Sequence, residues 1–149
     1  MTLVDADEDL IALAEALRPG LLRVSRLLRR EAQKAGVSAV DAQLLGYISK
    51  HPGVGGGELA DAEQMSAPSM SAHLKRLEAA GWIGREPPRA DDRRRVGLRV
   101  TAAGEAALLA IRRQRNEWLA ARLAALTAKE RRALAAASGP LRRLAGDRS

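Results

Sequence analysis

A mainly α fold with a small β-hairpin is predicted for this chain, on three observations. Alanine and leucine dominate, and aromatics are limited to Tyr47, Trp82 and Trp118, a composition that favours helices. Apolar residues recur at spacings of three and four, from Leu10, Ala14, Leu17, Leu21, Val24 and Leu28 at one end to Leu134, Ala137, Leu141 and Leu144 at the other. The one clean alternation sets Val96, Leu98 and Val100 against Arg95, Gly97 and Arg99, the pattern of a half-buried strand. Between residues 59 and 100 the order is helix, tight turn, helix, hairpin. That order is a winged helix-turn-helix, with further helices before and after it.

Each element has a local cause. The first apolar stripe covers one face of a helix ending at Gly36, where glycine suits the turn after a helix. Pro19-Gly20 is expected to kink or split it, because proline lacks a backbone donor. Ser38 caps the next helix, with Asp41 as the partner of a weak capping box. Val40, Leu44 and Ile48 form its buried face, and His51-Pro52-Gly53 stops it. Gly55-Gly56-Gly57 opens a short helix carrying Leu59, Ala60 and Ala62. Ser66 caps the following helix and Pro68 sits in its first turn. Met70, Leu74 and Leu77 form its inner face, and Gly81 ends it. A strand over residues 82–86 and a second over 95–100 flank the tip Pro87-Pro88-Arg89-Ala90-Asp91-Asp92-Arg93-Arg94-Arg95. Thr101 caps a long helix running through Leu108, Ile111 and Trp118 towards Leu123. Thr127 and Glu130 form a capping box for a last helix, expected to break at Gly139-Pro140. This divides the chain into an N-terminal dimerisation helix (1–37), a winged helix-turn-helix (38–101) and C-terminal dimerisation helices (102–149), together one domain. The terminal helices carry more apolar surface than one small domain needs, and a second copy of the chain is the expected partner.

Composition narrows the function classes. The chain of 149 residues holds 25 Lys and Arg against 18 Asp and Glu, a net charge of +7. An excess of this sign favours phosphate, an anionic surface or an acidic partner. There is no cysteine, which removes disulfides, thiolate zinc sites and cysteine nucleophiles. No basic start followed by an apolar core is present, and no apolar run reaches the roughly 20 residues of a membrane span. A cytoplasmic location without membrane association is expected. So few aromatics leave little for the stacking platforms that hold single strands.

The helix from Ser66 and the arginine-rich tip suit double-stranded DNA. Ser66, Ser69, Ser71 and Ala72 are small, so the helix backbone can approach base edges in the major groove. Lys75 and Arg76 further along can hold phosphates. Arg89, Arg93, Arg94 and Arg95 can reach backbone or minor groove, with Asp92 orienting one of them through a charge-assisted bond. His73 stays open between a base contact and a half-buried helix position. An arginine-rich tip can also be an ordinary solvated turn, but its place beside the serine-capped helix favours DNA. A winged helix acting only as a protein-interaction module is the alternative, and its reading helix would be acidic or apolar rather than ending in Lys75-Arg76.

These residues resemble the MarR family of transcriptional regulators. The resemblance is carried by Glu58-Leu59-Ala60, by Leu77-Glu78-Ala79-Ala80-Gly81-Trp82-Ile83, and by the run from Asp92-Arg93-Arg94-Arg95 through Val96-Gly97-Leu98-Arg99-Val100 to Thr101-Ala102-Ala103-Gly104. The string from Ala62-Glu63-Gln64 to Pro68-Ser69-Met70 is similar to a variant found in actinobacterial members. The resemblance runs over nearly the whole chain. It implies a homodimer on an inverted-repeat operator, and repression relieved by a small phenolic or lipophilic effector. It also implies a ligand cavity between reading head and dimer arms, expected near Tyr47, His51 and Trp118 beside the glycine-softened loop. This chain departs from the common pattern at Ala72, where many members carry arginine, and at His73, where many carry an apolar residue.

Other chemistry finds little support. His51 before Pro52 reads as a helix-end residue, and two lone histidines make poor metal ligands. Met65 and Met70 read as core. Trp118 reads as a dimer-core anchor ahead of a pocket residue. Gly55-Gly56-Gly57 lacks the lysine and preceding strand of a phosphate loop. No nucleophile, base and orienting group come together, so neither an enzyme nor a cofactor is expected.

Overall fold

The computed structural model describes residues 3–86 and 96–146, with side chains of the first helix described from residue 9 onward. The elements are α1 (Leu3–Lys34), α2 (Ala39–Lys50), α3 (Gly56–Ala62), α4 (Ala67–Ala79), β1 (Ile83–Glu86), β2 (Gly97–Val100), α5 (Ala102–Ala124) and α6 (Ala128–Leu144). They fall into two compact units, residues 1–115 and 116–149.

The first unit holds the core. Leu44, Leu45 and Ile48 of α2 meet Leu59 of α3, Met70, Leu74 and Leu77 of α4, Ile83 and Leu98 of the hairpin, and Leu108 of α5. Ala32, Val37, Ala42 and Ile111 form a smaller cluster at the end of α1. Burial at these positions removes apolar surface from water and is the main force holding α2, α3 and α4 together. The inner face of α4 is the one its spacing predicts.

Caps fix the element boundaries. The Ser38 hydroxyl accepts from the Asp41 N–H at 3.0 Å, and the Ser66 hydroxyl accepts from the Ser69 N–H at 3.3 Å. Gly36 and Gly81 take φ of +81 and +75, conformations that cost glycine little. In the second unit the capping box of α6 is complete: the Thr127 N–H donates to Glu130 Oε2 at 2.8 Å and the Glu130 N–H to Thr127 Oγ1 at 3.2 Å. The Thr127 N–H and hydroxyl hold the Glu130 carboxyl below the ordinary carboxylate range.

Several expectations fail. Pro19 does not split α1 and Pro140 does not end α6; each helix continues past its proline. Each proline removes one backbone bond, and the turns on either side carry the helix past it. Val40 is 40% exposed. The buried face of α2 instead uses Ala42, Leu44, Leu45 and Ile48, with Asp41. Val96, expected on the second strand, falls just before β2 and is 37% exposed, while Gly97 is buried.

The cause at Gly97 is a backbone approach. A Cβ there would stand 3.0 Å from the Gly53 Cα and carbonyl oxygen. The segment after α2 runs alongside β2: the Gly53 N–H donates to the Leu98 carbonyl and the Leu98 N–H to the Val54 carbonyl, both at 2.8 Å. This single bridge ties the end of α2 to the hairpin. β1 and β2 themselves pair antiparallel from Ile83 opposite Val100 to Glu86 opposite Gly97.

Candidate nucleic-acid interface

The turn between α3 and α4 sets α4 on the surface. Gln64 adopts φ +51, a left-handed conformation uncommon outside glycine, asparagine and aspartate. The Met65 N–H then returns to the Ala60 carbonyl at 2.8 Å. With Met70, Leu74 and Leu77 buried, α4 leaves Ser66, Ser69, Ser71, Ala72, Lys75 and Arg76 exposed. The Ser66 hydroxyl also donates to the Ser69 hydroxyl at 3.0 Å. An exposed helix with a serine-lined start, alanine at its middle and cations at its end fits a major groove.

His73 differs from its neighbours. Its side chain is 21% exposed and its Nδ1 lies 2.8 Å from Asp41 Oδ1 on α2. Arg76 reaches the same carboxylate, with Nη2 at 3.3 Å from Oδ1 and Nε at 3.4 Å from Oδ2. Burial pushes the Asp41 carboxyl up, but hydrogen bonds from His73, Arg76 and Ser38 together outweigh it and hold the group below the ordinary carboxylate range. The sequence pattern marks Asp41 only as a capping partner. The available signal was an aspartate at one edge of the apolar positions 42, 44, 45 and 48, where a carboxylate needs a partner.

A carboxyl whose pKa falls on folding stabilises the fold above the ordinary carboxylate range, and the contribution is lost as pH drops through its folded value. Asp41→Asn is expected to lose about 1–3 kcal/mol at neutral pH, the range of a charged hydrogen-bonded group. Urea unfolding across pH should show the gap to wild type closing in acid, below the usual aspartate range. A gap that stays constant across that range would contradict the pairing.

The base of the hairpin is charge-paired. Arg85 Nε donates to Glu78 Oε1 at 2.6 Å, and Arg99 pairs with Glu86. The tip positions Arg89, Asp92, Arg93, Arg94 and Arg95 lie outside the described residues. Among the described residues no group of three or more His, Asp or Glu is placed to hold a metal ion, and no helix is long and apolar enough to cross a membrane.

Tyr47 and His51 stack at 4.2 Å between ring centroids, and His51 is the C-cap of α2. Trp118 belongs to the second unit, where the Arg122 guanidinium sits 4.1 Å from its ring centroid. A groove of about 560 Å³ in the first unit is lined by Leu21, Val24, Leu28, Ala42, Arg29 and Arg115 among others. Tyr47 and His51 do not line it.

A helix-turn-helix with an exposed reading helix and an adjoining two-stranded hairpin defines a winged-helix DNA-binding protein. Residues 35–95 match the MarR family. The chain is 34% identical over 126 residues to an HTH-type transcriptional regulator of Mycobacterium tuberculosis, covering 85% of this chain and 87% of that one. A crystal structure described as a transcriptional regulator from Pseudomonas aeruginosa is 35% identical with a TM-score of 0.80, covering 96% of this chain and 99% of that one. A Staphylococcus aureus MepR variant bound to an oligodeoxyribonucleotide shares the fold, at 20% identity and a TM-score of 0.67, over 90% of this chain and 96% of that one. The chain belongs to the MarR family of transcriptional regulators, and it is a regulator rather than an enzyme.

Proposed function

We propose that this regulator is a repressor that binds an inverted-repeat operator as a homodimer and leaves it when a small molecule binds. The carrying observation is the state of α1. Every residue from 9 to 26 is exposed, Leu10, Leu13, Leu17 and Leu21 included, while the core of the first unit is already filled by other elements. An apolar stripe of that length in water calls for a partner, and a second copy supplies the same stripe in return. Two copies related by a two-fold axis would set two α4 helices on half-sites about one helical turn, roughly 10 base pairs, apart. The same fold on an oligodeoxyribonucleotide in MepR supports the DNA part of this reading.

The groove beside α1 supports a ligand-responsive regulator. Leu21, Val24, Leu28 and Ala42 give it apolar walls, and Arg29 and Arg115 also line it. An amphipathic molecule with an anionic group suits that lining. The sequence-based alternative places the effector near Tyr47, His51 and Trp118. A ligand at either place releases DNA only by favouring one arrangement of the protein over another.

The experiment separates helix from wing on DNA selected by the purified protein. Arg94→Ala is expected to weaken selected and random DNA alike, and to lower the log–log salt slope by about 1 if the contact is to phosphate. Ser69→Ala is expected to cost about 1–3 kcal/mol at particular base pairs and leave the slope unchanged. Failure of the wild type to select any sequence would favour the protein-interaction module instead.

A further inference from the structure

We infer that Asp41, which lies on α2 and not on the reading helix, is a positioning residue for sequence recognition, setting both His73 and Arg76 of α4. The inference rests on α4 being the helix that meets DNA, and deepens that reading. Ser69, His73 and Arg76 follow one another at spacings of four and three, so they line one flank of α4. Two of the three are tied to a single carboxylate on another helix. That carboxylate is itself anchored: its side chain is 12% exposed, and its backbone N–H is held by the Ser38 cap.

The tie decides which proton His73 carries. Nδ1 lies 2.8 Å from Asp41 Oδ1 and 2.5 Å from Arg76 Nη2. One ring nitrogen cannot donate to the carboxylate and accept from the guanidinium together. Arg76 has the two Asp41 oxygens for its own N–H groups, whereas an unprotonated Nδ1 would turn a lone pair on a carboxylate oxygen. Nδ1–H donating to Oδ1 is therefore the stable arrangement. It leaves Nε2 of the neutral ring as an acceptor, a group that reads the amino hydrogens of cytosine or adenine and not the N7 or O6 of guanine. Arg76 meanwhile spends its charge on Asp41, which limits what it gives to phosphate. Asp41 thus trades sequence-independent grip for a fixed reading edge.

The test uses the full-length protein and DNA selected from a random pool by the wild type. In ¹⁵N-histidine spectra at pH 8.5, with His73 assigned by its loss in His73→Gln, the wild type should carry its neutral proton on Nδ1. In Asp41→Ala the proton should move to Nε2. The ratio of selected-site to random-DNA affinity should fall about tenfold, the discrimination that one well-held base contact supplies. Random-DNA affinity should hold or rise, and the log–log salt slope should steepen by about 1 as Arg76 turns to phosphate. Ser69→Ala, which leaves the carboxylate cluster intact, is run in the same selection. If it shifts base preference and Asp41→Ala does not, the inference fails while α4 keeps its role. If neither shifts it, the reading-helix assignment fails and takes the inference with it. Should Asp41→Ala not fold, the wild-type spectrum still decides, because a proton on Nε2 there overturns the inference outright.

Discussion

Gly104→Ala is expected to destabilise the first unit by about 3 kcal/mol or more, although alanine is the better helix former. The glycine sits in the first turn of α5, where that helix starts against the turn at Gly81–Trp82 and the hairpin. A Cβ there would lie 2.1 Å from the Trp82 carbonyl oxygen and 2.6 Å from Val100 Cγ1. The carbonyl is not free to retreat, since it accepts from the Thr101 N–H at 2.9 Å. Thr101 in turn donates its hydroxyl to the Gly81 carbonyl at 2.6 Å and accepts from the Gly104 N–H at 3.1 Å. Relieving the clash means moving α5 away from Trp82 and breaking this set. Overpacking costs about 1–3 kcal/mol even where side chains can yield, and here the obstacle is backbone. The propensity gain of about 1 kcal/mol for Gly to Ala does not offset it. Gly46→Ala is the control: it lies within α2 with nothing within 4 Å of the added Cβ, so it should hold or gain up to about 1 kcal/mol. Thermal unfolding by circular dichroism reads both. Wild-type stability in Gly104→Ala would show that α5 has room to move away from the Trp82 carbonyl.

What the sequence made legible is what local chemistry decides. Ser38, Ser66 and Thr127 announce helix starts because a hydroxyl there meets an orphan backbone donor. Met70, Leu74 and Leu77 announce the inner face of α4 because their spacing admits one buried side. The failures lie beyond what a single residue's preference decides. Pro19 and Pro140 carry a real local penalty, and neighbouring turns override it. Gln64 takes a left-handed conformation that its side chain does not advertise. The Val54 bridge is one residue long, so it shows no alternation, yet it makes Gly97 a buried position and displaces the alternation expected at Val96. Asp41 was visible as a charge beside apolar positions, but its partners are 32 and 35 residues away. No pattern within α2 names them. The candidate site divides in the same way. The exposure of Ser69, Ser71 and Lys75 follows from the helical period, while the half-burial of His73 follows from a contact with another helix. The arginines of the hairpin tip rest on the sequence reading alone.

The pair Leu10→Glu and Leu17→Glu, introduced together, is expected to give a monomer whose affinity for an inverted repeat is about 10²–10⁴-fold weaker. The two leucines are 63% and 44% exposed in the single chain, seven residues apart on the same stripe of α1, and neither lines the groove. None of the buried core residues of the first unit comes from this part of α1. Two carboxylates here therefore cost the isolated chain little. Facing the same stripe on a second copy they would place four carboxylates in an apolar contact, where an unpaired charge costs several kcal/mol. Separation of the copies removes the linkage between two reading heads. The second head then binds no longer at the high effective concentration set by its partner but at its bulk concentration, which accounts for the expected loss in affinity. The loss should be confined to DNA carrying both half-sites; a single half-site should be bound about as well by the variant as by one head of the wild type. Sedimentation velocity gives the mass and far-ultraviolet circular dichroism reports whether the helices persist. If the monomer unfolds, dimerisation and folding are coupled in this chain, and the mass distribution of the wild type on dilution becomes the measurement. A double variant that still sediments as a dimer and grips the inverted repeat like wild type would show that α1 is not the face on which two copies meet.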